Sequence, residues 1–223
     1  MVTRQLEKAV VIALAGGNSA LEGIFIAGSD ATGAGAVIAP PHPLYGGAME
    51  SPVVTEIAFG CERAGIASLR FNWRGVGASA GRPSGEAEDA DADYGSALAL
   101  LEETVAGRVV ACGYSFGAAA ALRAAGRYPR ADRLIMVSPP PTLLDAAAFA
   151  AFSGRVLVVA GDRDGFAPVA EIERLVDSAR HARLEIVPEA DHFFGVGLTA
   201  ISRAAGDWLA EDDPDGGSTQ SGG

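Results

Sequence analysis

The chain has 223 residues, 49% of them hydrophobic, which is enough for one well-buried core without a second domain. A formal net charge of -11 argues against nucleic acid or anionic membrane surfaces as partners, and part of that acidity is local, in Glu211, Asp212, Asp213 and Asp215. Two cysteines, Cys61 and Cys112, supply neither a disulfide framework nor a metal-ligand cluster, and read as small apolar fillers.

No basic stretch followed by an apolar one marks a signal peptide. The apolar runs are strand-length and interrupted, so no membrane span is expected and the expected setting is cytoplasmic. In chain order, residues 9–15 and 21–27 read as strands, separated by the turn cluster Gly16-Gly17-Asn18-Ser19 that closes a hairpin. A third strand, 35–39, runs into Pro40-Pro41-His42-Pro43, whose prolines stop it and hold an extended loop. Residues 49–64 read as a helix with Ser51 as N-cap and Pro52 at its first position.

A fourth strand at 66–71 precedes a glycine-punctuated loop, 72–85, and a helix over 86–103 with Tyr94, Leu98 and Leu101 on one face. Asp89, Asp91 and Asp93 lie in its early turns, where they complement the helix dipole, and read as a solvated face rather than a metal site. After the segment 109–123, strands are expected at 134–137, 155–160 and 184–187, with helices at 169–180 and 197–209. The stretch 138–152 is Pro-rich, then Ala-rich, and is too short for a large lid but long enough for a small helical flap. Strands alternating with helices after a hairpin imply a mostly parallel sheet covered on both faces, with any reactive site beyond the strands' carboxyl ends.

The centre of the pattern is Gly113-Tyr114-Ser115-Phe116-Gly117. Before it stands the strand-like run Val109-Val110-Ala111-Cys112, and after it the helix formers Ala118 to Arg123. Strand, glycine-flanked turn and helix are the setting that makes G-x-S-x-G a nucleophile elbow, with the serine oxygen projecting from the sheet edge. The N-terminus of the following helix then offers N–H groups to an oxyanion.

A serine nucleophile needs a general base and a carboxylate to orient it. Of three histidines, His42 lies in the proline-locked loop and His181 where a helix gives way to a strand, a surface position. His192, in Asp191-His192-Phe193-Phe194-Gly195, follows a strand's carboxyl end on the correct edge and is the expected base. The acid belongs between serine and histidine in chain order. Two aspartates compete in Gly161-Asp162-Arg163-Asp164: Asp162 suits a turn or a pair with Arg163, and Asp164, further from the strand end, is favoured. Asp191 cannot easily orient its neighbour's ring and reads as a loop hydrogen-bonder. One oxyanion donor is the N–H of Phe116; the other comes from the loop after the third strand, where Pro40, Pro41 and Pro43 have none to give. Leu44 is the expected second donor, with Tyr45 next, and His42 shapes the loop.

These residues carry a resemblance. The chain up to about residue 210 resembles an α/β-hydrolase, and is similar to small, nearly lidless bacterial members related to the dienelactone-hydrolase and serine-aminopeptidase branches. Beyond the elbow, the match rests on PHPLYGG (41–47), RFNWRGVGAS (70–79), GDRDGFAP (161–168) and DHFFG (191–195). The family's acid stands at the end of a G-x-x-D with proline four positions on, here Asp164 and Pro168. The resemblance implies Ser115, Asp164 and His192 as a triad, backbone donors at Leu44 and Phe116, and a structural role for the loop 74–81 in walling the site. Dienelactone hydrolases proper use cysteine where this chain has Ser115, and other relatives insert a cap where 138–155 is short.

The expectation is thus an α/β-hydrolase fold in one domain, 1–210, with an N-terminal hairpin, minimal or no cap, and a disordered tail at 211–223. The expected activity is hydrolysis of small or short-chain carboxylic esters, without cofactor or metal. Amide cleavage of the aminopeptidase type is the alternative, with Glu50 or Glu86 as conceivable acidic anchors for a free amino terminus. A non-catalytic binding protein on the same scaffold ranks below both.

Overall fold

Residues 6–17, 19–29 and 32–211 are described by a computed structural model; the expected disordered tail lies outside them apart from Glu211. Eight strands form one sheet: β1 (Lys8–Ala13), β2 (Ala20–Ile26), β3 (Gly35–Ala39), β4 (Ala67–Phe71), β5 (Val109–Tyr114), β6 (Ala131–Val137), β7 (Arg155–Gly161) and β8 (Ala182–Val187). Their order is β1-β2-β4-β3-β5-β6-β7-β8. The expected hairpin pairs β1 with β2, β2 lies antiparallel on β4, and every pairing from β4 to β8 is parallel.

Successive side chains of a strand point to opposite faces, and a sheet covered on both sides needs apolar residues at every position. β5 meets that demand: Val109 and Ala111 join one core cluster, while Val110, Cys112 and Tyr114 join the other. Helices α1 (Pro52–Arg63) and α6 (Thr199–Ala210) pack on one face. The other face carries α2 (Ala87–Thr104), α3 (Phe116–Ala125), the short α4 (Ala146–Ala151) and α5 (Val169–Asp177). Between 138 and 152 there is only a single 3₁₀ turn, Pro141–Leu143, and the six residues of α4, so the site edge carries no cap.

Registry brings the site together. Ala39 lies opposite Gly113, Tyr114 opposite Val137, Val137 opposite Val159, and Gly161 opposite Val187. The carboxyl ends of β3, β5, β6, β7 and β8 therefore finish level, and the loops starting at residues 40, 115, 138, 162 and 188 open onto one edge. The fully buried Tyr94 hydroxyl from α2 accepts from Cys112 N–H at 2.9 Å and faces the carbonyls of Val37 and Cys112, at 3.0 and 2.9 Å.

Three local expectations need correction. The aspartates of α2 are not a solvated face. Asp93 is 1% exposed and takes the backbone N–H, Nε and Nη2 of Arg74 at 2.9, 3.0 and 2.7 Å, while Asp89 also binds the Arg74 guanidinium. Asp91 pairs with Arg123 and Arg127 on α3, at 2.6 and 2.7 Å. Early-turn carboxylates complement the dipole whatever else they do, so position alone does not show that distant arginines have been recruited. Second, Ser51 occupies the N-cap position of α1 but makes no side-chain cap bond. Third, Glu211 is tied down, its carboxylate meeting Arg155 at 2.7 Å and Arg183 at 2.8 Å.

Candidate active site

The elbow turns because two glycines permit contacts that no side chain allows. A Cβ on Gly113 would sit 2.1 Å from the Gly117 carbonyl oxygen, and one on Gly117 would sit 2.5 Å from the carbonyl oxygens of Ala39 and Pro40. The helix consequently starts immediately after the strand, with Ser115 between them at φ 54°, ψ −116°. This is a sparsely populated conformation for a residue with a side chain. Among the described residues four non-glycines have positive φ, namely Ser115, Ser138, Glu189 and Phe194, and all four follow the level ends of β5, β6 or β8. Such strain is held where surrounding structure over-determines it, typically at a working edge.

Ser115, Asp164 and His192 are all buried and meet there. His192 Nε2 lies 3.0 Å from Ser115 Oγ, and His192 Nδ1 lies 3.0 and 2.9 Å from the two carboxylate oxygens of Asp164. A carboxylate at Nδ1 favours the tautomer with the proton there, leaving Nε2 to accept from the serine hydroxyl. Asp164 also accepts from the N–H groups of Phe166 and Ala167, both at 2.8 Å. Burial is the largest influence on its carboxyl and raises it. Hydrogen bonds from His192 and Ala167, with the nearby Ser138 hydroxyl, together outweigh burial and hold the group below its ordinary value. The Ser138 hydroxyl, fully buried, stands beside this carboxylate in an orientation short of a well-formed hydrogen bond.

Asp162 is exposed, and Arg163 turns to Glu189 at 3.3 Å instead of pairing with it. Asp191 Oδ1 accepts from Phe193 and Gly195 N–H at 3.1 and 3.2 Å, pinning the loop that carries His192. A further tie crosses from the elbow: the Tyr114 hydroxyl donates to the His192 carbonyl.

The Phe116 N–H stands at the first position of α3, where a helix has no internal acceptor for it. The loop after β3 carries its own internal bonds. Pro43–Tyr45 forms a 3₁₀ turn with His42 as its N-cap, and His42 Nδ1 accepts the Leu44 N–H at 3.2 Å. The Tyr45 N–H, the second choice, binds the His42 carbonyl at 3.1 Å. Leu44 can therefore serve an oxyanion only by sharing or exchanging its bond to His42. His42 itself packs between Tyr45 and Phe116, each ring centroid 4.7 Å away, and burial lowers its pKa, which keeps Nδ1 an acceptor.

Several contributors escaped the sequence. Ser138 had a signal, since it directly follows a strand on the site edge. Phe166 and Phe193, which crowd the His192 ring, sit beside residues already singled out. The Arg74 clasp had none, its partners lying 15 and 19 residues away. A groove of about 960 Å³, lined in part by Arg123, Arg127, Asp145 and Phe152, contains none of Ser115, Asp164 and His192. Arg123 and Arg127 there are paired with Asp91. Among the described residues no group of three or more His, Cys, Asp and Glu converges as a metal site, and no helix is long and apolar enough to cross a membrane.

Comparison with known proteins adds four findings. The profile of the family described as serine aminopeptidase, S33, matches residues 44–143. An uncharacterised protein of Rickettsia prowazekii is 31% identical over 186 residues, covering 78% of this chain and 77% of the relative. Among solved structures, an α/β serine hydrolase homologue from Coxiella burnetii superposes with TM-score 0.80 at 27% identity, over 91% of this chain and 97% of that one. A lidless α/β serine hydrolase from Xanthomonas campestris superposes with TM-score 0.72 at 25% identity, over 96% and 100%.

Proposed function

As the chain belongs to the α/β-hydrolase superfamily, we propose that it is a serine hydrolase cleaving small carboxylic esters through an acyl-enzyme. The observation that carries the reading is the unbroken relay from Ser115 Oγ through the His192 ring to the Asp164 carboxylate. Ser115 Oγ attacks the ester carbonyl while His192 Nε2 takes its proton. The carbonyl electrons move onto oxygen, which the Phe116 N–H stabilises, with the Leu44 N–H as second donor once it turns from His42. Collapse expels the alcohol, protonated by Nε2. Water, deprotonated by the same nitrogen, then attacks the acyl-enzyme and releases the acid. Asp164 stays ionised throughout, holding the imidazole's tautomer.

The absence of a cap on the site edge supports small substrates, since little of a long acyl chain would be enclosed. Amide cleavage is the second reading, favoured by the serine aminopeptidase profile. It calls for an acidic anchor, and Glu50 and Glu86 are both exposed. The test is hydrolysis of a short p-nitrophenyl ester and of an aminoacyl amide by wild type and Ser115→Ala, together with fluorophosphonate labelling. Ester turnover and labelling that vanish together in Ser115→Ala are expected. Retained activity in the variant overturns the assignment, and faster amide than ester turnover favours the second reading.

A further inference from the structure

We propose that Phe166 and Phe193 form a leaving-group subsite, which selects esters whose alcohol portion is aromatic; the proposal rests on Ser115 and His192 acting as described above. Two large apolar side chains stand in water here, Phe166 63% and Phe193 68% exposed. Lone exposed apolar residues are common and need no explanation. These two are not alone. Their rings meet edge-on with centroids 6.4 Å apart, and each also meets the imidazole of His192, Phe166 at 4.8 Å and Phe193 edge-on at 5.5 Å.

The chemistry sets which part of a substrate lies there. His192 Nε2 must deliver its proton to the departing oxygen, so that oxygen comes within about 3 Å of Nε2 at collapse. Its substituent then leaves past the rings flanking the imidazole. The acyl portion stays bonded to Ser115 and takes another direction. The exposed apolar residues of the 3₁₀ turn, Leu44 and Tyr45, belong to the oxyanion loop, where Tyr45 packs on His42.

The main chain that carries the rings is also held in advance. The Phe166 N–H is bound by the Asp164 carboxylate that orients His192, and the Phe193 N–H by Asp191. The backbone of both phenylalanines is thus fixed by the hydrogen bonds that position the base, while their faces stay open. An aryl group entering there gains offset or edge-on ring contacts and removes apolar surface from water on both sides.

The experiment compares 2-phenylethyl acetate with ethyl acetate, whose alcohols are similar in basicity, and ethyl butyrate with ethyl acetate as a control on the acyl side. In the wild type kcat/KM, which reads acylation, should favour the phenylethyl ester by roughly tenfold or more. In Phe166→Ala and Phe193→Ala that preference should fall several-fold each, and in the double variant it should vanish. The butyrate-to-acetate ratio should stay unchanged in the variants, because the acyl portion takes the other direction. Phe166→Tyr should keep the preference. A wild type without the preference, or alanine variants that retain it, overturns the subsite while leaving the hydrolase reading intact. Failure of every ester, with no fluorophosphonate labelling of Ser115, overturns both.

Discussion

The Tyr114 hydroxyl reaches across 78 residues of sequence to donate to the backbone carbonyl of His192 at 2.9 Å. The residue before Ser115 thus holds the main chain of His192. Burial, then the nearby charges of Asp164 and Asp191, push this phenol well above its ordinary value, so it remains a donor throughout the working pH range. Tyr114→Phe leaves a buried carbonyl unpaired and should cost about 1–3 kcal/mol of stability. It should also lower kcat at every pH without changing the shape of the pH–rate profile. Thermal melts and a pH–rate series check both.

Ser115 at φ 54° carries backbone strain that glycine does not. Ser115→Ala and Ser115→Gly should both be inactive and differ in stability. The glycine variant is expected to be the more stable by about 1 kcal/mol, the strain relieved exceeding the unfolded-state entropy that glycine adds. Denaturant titration of the two variants gives the difference. Equal midpoints would mean that the strain only offsets the unfolded-state entropy that glycine adds.

Asp164 sets a pH dependence of stability. Its folded-state carboxyl lies below the ordinary 3.8, so its contribution is complete above that value and is lost as pH falls through the depressed one. Wild type should therefore exceed Asp164→Asn in Tm by a constant margin above about pH 5, with the margin shrinking below pH 4. A margin unchanged down to pH 2.5 would contradict the sign. A fall already under way near pH 6 would point to a different group.

His42 is expected to position the oxyanion loop. His42→Ala removes the acceptor that caps the 3₁₀ turn, a loss of about 1 kcal/mol, and should lower kcat about fivefold with little change in KM. His42→Asn, which supplies a side-chain carbonyl at the cap, should recover most of the rate. A His42→Ala enzyme faster than wild type would instead show that Nδ1 withholds the Leu44 N–H from the oxyanion.

The sheet was legible because its strands are short apolar runs separated by helices and turn residues, and both faces of β5 are apolar as a central strand requires. Element ends were less so. β8 begins at Ala182, two residues before its apolar core, because Ala182 and Arg183 pair through their backbones with Val156 and Leu157, and an edge strand does not need apolar side chains there. The aspartates of α2 were misread for a different reason. Their partners, Arg74, Arg123 and Arg127, lie on other elements, and no local pattern in a helix encodes an ion pair closed by tertiary packing. Proline content shows which residues of the loop after β3 have an N–H to give, but not where the Leu44 N–H points.

The level strand ends also order events in time. Ser115 and His192 are 77 residues apart and meet only through parallel pairings, which close large loops before any contact rewards them. The elbow, built on β3, β5 and β6, precedes in chain order the two strands that bring Asp164 and His192. During refolding or synthesis the strained serine must therefore wait, unbased, until β7 and β8 dock. Recovery of the proposed esterase activity should lag behind secondary structure, and make turnover a late clock for completion of the sheet.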